Sequence, residues 1–396
     1  MNKIKIEILP NEYLKDDGTF DKEKAFNICG KIAGVCYDKE GFNHLVNEPV
    51  EKTNRRISLT LDNGHHSVYD HIFINFNIHN IPKILSMIIN NEHQYTTSEK
   101  SVRYTKIVKS DDSIITQKEA DLYNKWLNIF KDLIKKEYPL VFSDSKVTKL
   151  AQENARYLVT VFMPTEMIYT TSLRQINYLV AFMYKYIDNA KDNYFDNNLV
   201  ISMKMFISEI ERLNILDERL MRNEKARKFS LFGNNLRKHK EYFSNVYSMI
   251  YEGSFAYLAQ AQRHRTINYQ MEIIRDFDCF VPYILKDTSY EKEWLDDMKS
   301  VYDLFPMGRR VLISEVGTYD NFILKCKERL CSCVQVETSN ITRKNLLRYK
   351  KFLEDNDDVL KDDIKKYSKG ARCTFTDYKC FSDCHFKEGK TLSSKI

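Results

Sequence analysis

The 396-residue sequence holds only 7 prolines and 11 glycines, and it carries no strong surplus of either charge. It has no apolar run approaching the roughly 18 residues that a membrane-spanning helix needs. The scarcity of proline and glycine leaves few chain breakers and little low-complexity sequence, which favours helices joined by polar loops. A net charge of +6, from 61 basic and 55 acidic residues, is too dilute to argue for nucleic acid but suits small anionic ligands such as nucleotides. Any anion site must therefore be local. Disulfide pairing also lacks support: the nine cysteines are odd in number, and the opening "MNKIKIEILP" has no apolar signal core. These features predict a reduced, cytoplasmic protein with no membrane partner.

What is present suffices for a large core. Hydrophobic residues make up 43% of the chain and aromatic residues 13%, enough for more than one domain. In "SVYDHIFINFNIH", from Ser67 to His79, the apolar Ile72, Ile74, Phe76 and Ile78 alternate with Asn75, Asn77 and His79, which predicts a half-buried strand beginning at about Ser67. Then "NIPKILSMIINNEH" follows, with Pro82 suited to the first turn of a helix. The same succession returns as "EYFSNVYSMIYEG" and "SFAYLAQAQRHR". One shift aligns the two copies, laying Asn91-Glu92-His93 on Arg263-His264-Arg265 and Ser101-Val102-Arg103 on Ile273-Ile274-Arg275. Each copy is followed by a segment with a proline near a long amphipathic helix, "ARYLVTVFMPTEMIYTTSLRQINYLVAFM" in the first and "YDLFPMGRRVLISEVGTYDNFILKCKERLCSCVQVE" in the second.

This organisation predicts an α+β fold of two tandem domains, each a small antiparallel sheet edged by long helices. The expected boundaries are a first half at 1–212, a charged linker at 213–240, a second half at 241–355 and a cysteine-rich tail at 356–396.

Three constellations carry chemistry. "QRHRTINYQMEIIR" sets Arg263, His264 and Arg265 in what reads as a buried helix, where Gln260 shares a face with Arg263 and His264 while Arg265 points elsewhere. That arrangement suits a ligand whose parts are addressed by different side chains, although basic residues that cap a helix end would look the same. "NGHHSVYDH" gathers His65, His66, Ser67, Asp70 and His71, but strand alternation would split them between two faces, which argues against a metal there. "SEKSVRY" joins Glu99, Ser101 and Arg103, where a hydroxyl, a guanidinium and loop amides suit a phosphate. In the tail, "CTFTDYKCFSDCH" supplies Cys373, Cys380, Cys384 and His385 as candidate ligands of a structural zinc, at a spacing that matches no standard zinc pattern.

Taken together, "GHHSVYDH", "SVRY" and "QAQRHR" resemble the flavin-dependent thymidylate synthases, once in each half of the chain. The resemblance divides unevenly. The first half looks like the family at His65, Ser67, Asp70 and Arg174, which the resemblance assigns to the flavin, and at Ser101, Arg103 and Arg156, which it assigns to the nucleotide phosphate. It departs at Asn91, Glu92 and His93, where Arg-His-Arg is expected, and at Ile88, where a glutamine is expected. The second half keeps Gln260 and Arg263-His264-Arg265, and its "RLCSCVQVE" matches a late family helix at Arg329, Gln335 and Glu337. It lacks the Gly-His strand, and has Ile273 for the serine and Tyr302 where Arg156 falls. The resemblance thus implies a fused pseudo-dimer with one surviving composite site, and two such chains as a homodimer.

The activity implied is methylation of dUMP to dTMP, with methylenetetrahydrofolate giving the carbon, FAD the hydride and NADPH the electrons. Gln260 and Arg329 would hold the pyrimidine, Arg329 stabilising charge on its carbonyl oxygens, and His65 would lie against the flavin or folate ring. No cysteine nucleophile is implied. A related hydroxymethylase acting on a pyrimidine nucleotide, a nucleotide- or flavin-binding pseudoenzyme, and a zinc-tailed nucleic-acid binder are the alternatives, the last resting only on the tail and the mild positive charge.

Overall fold

The structure, a computed structural model, describes residues 3–101, 107, 109, 113–222, 227–380, 384 and 386–396. Arg103 and His385 lie outside the described residues. The chain divides into two compact units, one of Met1–Lys100 and Phe162–Phe229, the other of Ser101–Val161 and Ser230–Ile396.

In the first unit four antiparallel strands, β1 (Lys5–Ile8), β2 (Phe73–Pro82), β3 (Tyr95–Glu99) and β4 (Pro164–Ser172), lie in the order β1-β2-β4-β3. The alternation read from the sequence holds, since Ile72, Ile74, Phe76 and Ile78 are all buried while Asn75, Asn77 and His79 stay partly open. The strand starts later than expected. His66–His71 form a 3-10 helix, because both faces of the segment are claimed: buried His66 touches the Leu61 carbonyl and the Tyr178 hydroxyl, each at 3.1 Å, and Tyr69 is fully buried. At its far end β2 slips register between Ile78 and Ile81, where Asn80 takes the left-handed conformation at φ 56°. Pro82 then caps helix Lys83–Ile89, whose seven residues are all buried. Helix Lys22–Gly34 crosses helix Val50–Asp62 at Gly30, where a Cβ would stand 2.7 Å from Ile57 and 2.8 Å from Thr53. Only glycine permits that approach.

The second unit repeats the sheet. Strands β5 (Tyr242–Phe243), β6 (Val246–Ser254), β7 (Asn268–Ile273) and β8 (Arg310–Thr318) are antiparallel in the order β5-β6-β8-β7. Helix Phe255–Ala261 follows β6 as Lys83–Ile89 follows β2, and Tyr319–Arg329 follows β8 as Leu173–Asn189 follows β4. Two small antiparallel sheets with flanking helices in one chain are the fold class that the sequence predicts. Helix Gln117–Glu137, which opens with a Thr116/Glu119 capping box, also belongs to this unit. Its Trp126 meets Trp294 edge-on at 4.9 Å and donates its indole N–H to Asp297 at 2.8 Å, so a large aromatic pair is buried without an unsatisfied donor.

Beneath β6 and β8 lies a fully buried ion pair. Lys325 Nζ sits 2.6 Å from Glu315 Oε2, and the hydroxyls of Tyr247 and Tyr251 donate to the same carboxylate. Burial alone would push the Lys325 ammonium down, but Glu315 and the neighbouring Tyr257 and Tyr269 outweigh it and hold it well above its ordinary value.

Candidate functional site

The first unit brings Asp70 and Arg174 together. Ser172 ends β4 and caps helix Leu173–Asn189 by accepting from the Gln175 amide at 3.1 Å, and its hydroxyl donates to Asp70 Oδ1 at 2.6 Å. The other Asp70 oxygen pairs with Arg174 Nη2. Tyr178, one turn further along, places its ring 5.6 Å from the guanidinium and its hydroxyl on His66. Arg174 Nε is buried and has no hydrogen-bond partner, so this corner holds a cationic donor with capacity left over. His65 and Ser67 are exposed on the 3-10 segment beside it.

A second cluster forms inside the second unit around Gln335, the cap of helix Val336–Asp355. Its Oε1 accepts from Arg156 Nη2 at 2.9 Å and from the Gln260 carboxamide, and its own carboxamide donates to the Tyr157 hydroxyl. Tyr157 donates onward to Glu337 Oε2 at 2.8 Å, and Glu337 also accepts from the Ser254 amide at 2.9 Å and the Ser254 hydroxyl at 2.6 Å. Ser254 is the cap of helix Phe255–Ala261, so the carboxylate fixes the start of the helix that carries Gln260. Burial raises the Glu337 carboxyl above its ordinary value, and these donors oppose the rise. Arg329, the last residue of its helix, reaches the Gln260 carbonyl at 3.5 Å.

The Arg263-His264-Arg265 triplet is not within a helix. Helix Phe255–Ala261 stops short of it, Gln262 is its cap, and the triplet occupies the turn leading to β7. The helical phase inferred for Arg263 and Arg265 therefore does not apply. The helix ends because buried Ile267, Tyr269 and Met271 impose the two-residue period of β7. Arg265 is exposed, Arg263 half-buried, and His264 is buried with Glu328 3.5 Å from its Nε2. That nitrogen has no hydrogen-bond partner of good geometry. Burial, with the Arg329 and Lys325 cations nearby, pushes the His264 imidazole down to about 2, so it is neutral at physiological pH.

Ser101 is half-buried. Cys373, Cys380 and Cys384 line a cavity of about 540 Å³ together with Cys331, Cys333 and Arg372. Among the described residues no group of three or more His, Cys, Asp or Glu is arranged to hold a metal ion. Sequence reasoning missed Tyr157, Ser254 and the Cys331/Cys333 pair. Tyr157 adjoins Arg156 and Ser254 stands where a helix cap is expected, so both had a local signal, whereas the meeting of Cys331 with the tail is a long-range contact that no spacing announces.

Residues 20–184 match the family model described as thymidylate synthase complementing protein. No curated protein matches the chain. Among solved structures, a UMP/dUMP methylase, PolB from Streptomyces cacaoi bound with 5-Br dUMP, aligns over 55% of this chain and 93% of its own, at 12% identity and a TM-score of 0.31. Over residues 20–184, less than half of its length, the chain is thus similar to the thymidylate synthase complementing protein family, that of the flavin-dependent thymidylate synthases.

Proposed function

We propose that the chain is a flavin-dependent thymidylate synthase that methylates dUMP to dTMP, with methylenetetrahydrofolate as carbon donor and NADPH as reductant. The observation that carries this reading is the Gln260–Gln335–Arg156 cluster, two carboxamides and a guanidinium held in a buried frame by Tyr157, Glu337 and Ser254. Carboxamides donate and accept side by side, as the edge of a uracil ring requires. Arg156 and Gln260 both donate to Gln335, and in this reading a pyrimidine nucleotide exchanges those contacts for its own.

In this reading Arg329, whose Nη2 lies 3.5 Å from the Gln260 carbonyl, stabilises negative charge that accumulates on the ring oxygens as C5 reacts. Ser101, Arg103 and Arg156 hold the phosphate in this reading, and charge-assisted contacts of that kind contribute about 1.5–3 kcal/mol each. FAD, when bound, supplies the hydride that completes the methyl group. Its retention falls, in this reading, to His65, Ser67, Asp70 and Arg174 of the first unit, where the buried Arg174 Nε left without a hydrogen-bond partner fits such a ligand.

Incubating the protein with dUMP, methylenetetrahydrofolate, FAD and NADPH and identifying the product by mass spectrometry tests the reading. dTMP is expected, and a hydroxymethylated nucleotide or no product overturns it. Because each unit keeps only one part of the motif set, one flavin per chain is expected after saturation. A ratio of two would mean that each half is complete.

A further inference from the structure

Gln335 is enclosed by groups that leave its carboxamide a single orientation. Arg156 can only donate, so the atom it meets at 2.9 Å is the Gln335 oxygen, and the Gln335 nitrogen lies on the other side, against the Tyr157 hydroxyl. Tyr157 accepts from that nitrogen and directs its own proton to Glu337 Oε2 at 2.8 Å.

Glu337 gives the chain no way to reverse. The Ser254 amide, a donor only, holds Oε1 at 2.9 Å. The Ser254 hydroxyl accepts from the Tyr257 amide at 3.0 Å and turns its proton to Oε2 at 2.6 Å. The carboxylate therefore accepts from three groups, and polarity runs one way, from the Gln335 nitrogen through the tyrosine hydroxyl to Glu337. Tyr157, Ser254, Gln335 and Glu337 are each at most 1% exposed, so bulk water does not relax that order.

The consequence lies at the other end of Gln335. Its oxygen faces two donors, Arg156 and the half-buried Gln260 carboxamide, and whatever replaces them must itself donate. Uracil carries a hydrogen on N3, whereas cytosine has a lone pair there. A cytosine ring in the same pose sets that lone pair against a buried carbonyl oxygen, so a hydrogen bond goes unmade where no water can replace it. Its exocyclic amine lies one ring position away, and reaching the oxygen with it requires the ring to turn against the contacts that hold the phosphate.

We propose that Glu337, acting through Tyr157 and Gln335, makes the site selective for uracil over cytosine nucleotides by holding the Gln335 oxygen toward N3–H. The proposal rests on the nucleotide reading above. Once Arg156 turns to the phosphate, as that reading has it, the Tyr157–Glu337 end alone sets the carboxamide. Glu337 is a positioning residue, since it acts on the ring only through its neighbours.

Calorimetry of the full chain with dUMP and with dCMP, in the parent and in Glu337→Gln, tests this. The parent should prefer dUMP by about 100-fold or more, because a buried polar group left unpaired discriminates strongly. In Glu337→Gln the Ser254 amide keeps the new carboxamide oxygen, so its nitrogen falls on the Tyr157 side and donates there. The Tyr157 proton then turns to Gln335, which can present its nitrogen to the ring. The preference should fall to about five-fold or less, chiefly because dCMP binds more tightly, whereas a merely structural role for Glu337 would weaken both ligands and leave dCMP no tighter. Tyr157→Phe keeps the buried ring, removes the relaying hydroxyl and should narrow the preference in the same direction even if Glu337→Gln fails to fold. A parent-like preference in the folded variants overturns the proposal. A parent that binds both nucleotides alike overturns it too while leaving the nucleotide reading in place, and a parent that binds neither removes both.

Discussion

The two units build the same sheet order and cap the helix after the fourth strand with a hydroxyl in each case, Ser172 in one and Thr318 in the other, yet they bury different charges. In the first unit the helix after β2 begins with Lys83, whose ammonium meets Glu99 Oε1 at 2.5 Å while Ser86 donates to the same oxygen at 3.0 Å. The equivalent helix of the second unit begins with Phe255, and the buried pair there is Lys325 with Glu315, joining a helix to β8 inside a ring of tyrosines. Shared apolar alternation and shared caps set the topology in both. Where the polar groups go is a separate choice, and it is in that choice that the two halves have specialised.

Breaking the ion pairs probes this most strongly. Lys325→Met leaves Glu315 charged and enclosed, and is expected to cost about 3–5 kcal/mol of stability. Lys83→Met should cost less, since that pair is slightly less enclosed. Denaturant unfolding of the two variants compares them directly, and a larger loss from Lys83→Met would reverse the contrast drawn here.

Ligand binding sharpens the comparison next. Arg156→Ala should weaken dUMP binding by about 1.5–3 kcal/mol in calorimetry while flavin retention stays, whereas Arg174→Ala should weaken flavin retention by a similar amount and leave dUMP binding in place. Equal effects of both variants on both ligands would mean that the two units do not divide the work.

Acid provides a third measurement. His264 binds its proton less readily folded than unfolded, so the unfolded state takes up more protons between its ordinary value of 6.5 and about 2, and stability present above pH 6.5 is lost as pH falls. The loss should reach about 2 kcal/mol by pH 5, and His264→Gln should flatten it. A variant as acid-sensitive as the parent would remove His264 as the cause.

The smallest effects belong to the caps. Thr318→Ala should cost about 1 kcal/mol, the usual value of a lost N-cap, and Ser172→Ala somewhat more because its hydroxyl also holds Asp70. Identical thermal shifts would show that the Ser172–Asp70 bond adds nothing.

The duplication was legible in the sequence because two alternating strands, each followed by an apolar helix, recur at one shift, and the structure places both helices, Lys83–Ile89 and Phe255–Ala261, in register with it. The strand near Ser67 was misread because a stretch of polar residues with one buried histidine and one buried tyrosine has no period to follow. The Arg-His-Arg turn was misread for the opposite reason, since the apolar run before it continues a helical pattern that β7 interrupts. Asp70 meets Arg174, and Gln335 meets Arg156, across more than a hundred residues of chain. Such meetings follow from topology, and only the family resemblance had named their members.

The division of the chain also has a bearing on how it is made. Neither unit is a continuous stretch, because the segment 101–161 leaves the first and belongs to the second. During synthesis β2 waits for β4, its central partner, and meanwhile helix Gln117–Glu137 emerges with Trp126 long before Trp294 exists to cover it. Neither half can finish folding behind the ribosome in the simple order in which domains usually do, so the nascent chain carries an uncovered aromatic stripe through much of its own translation.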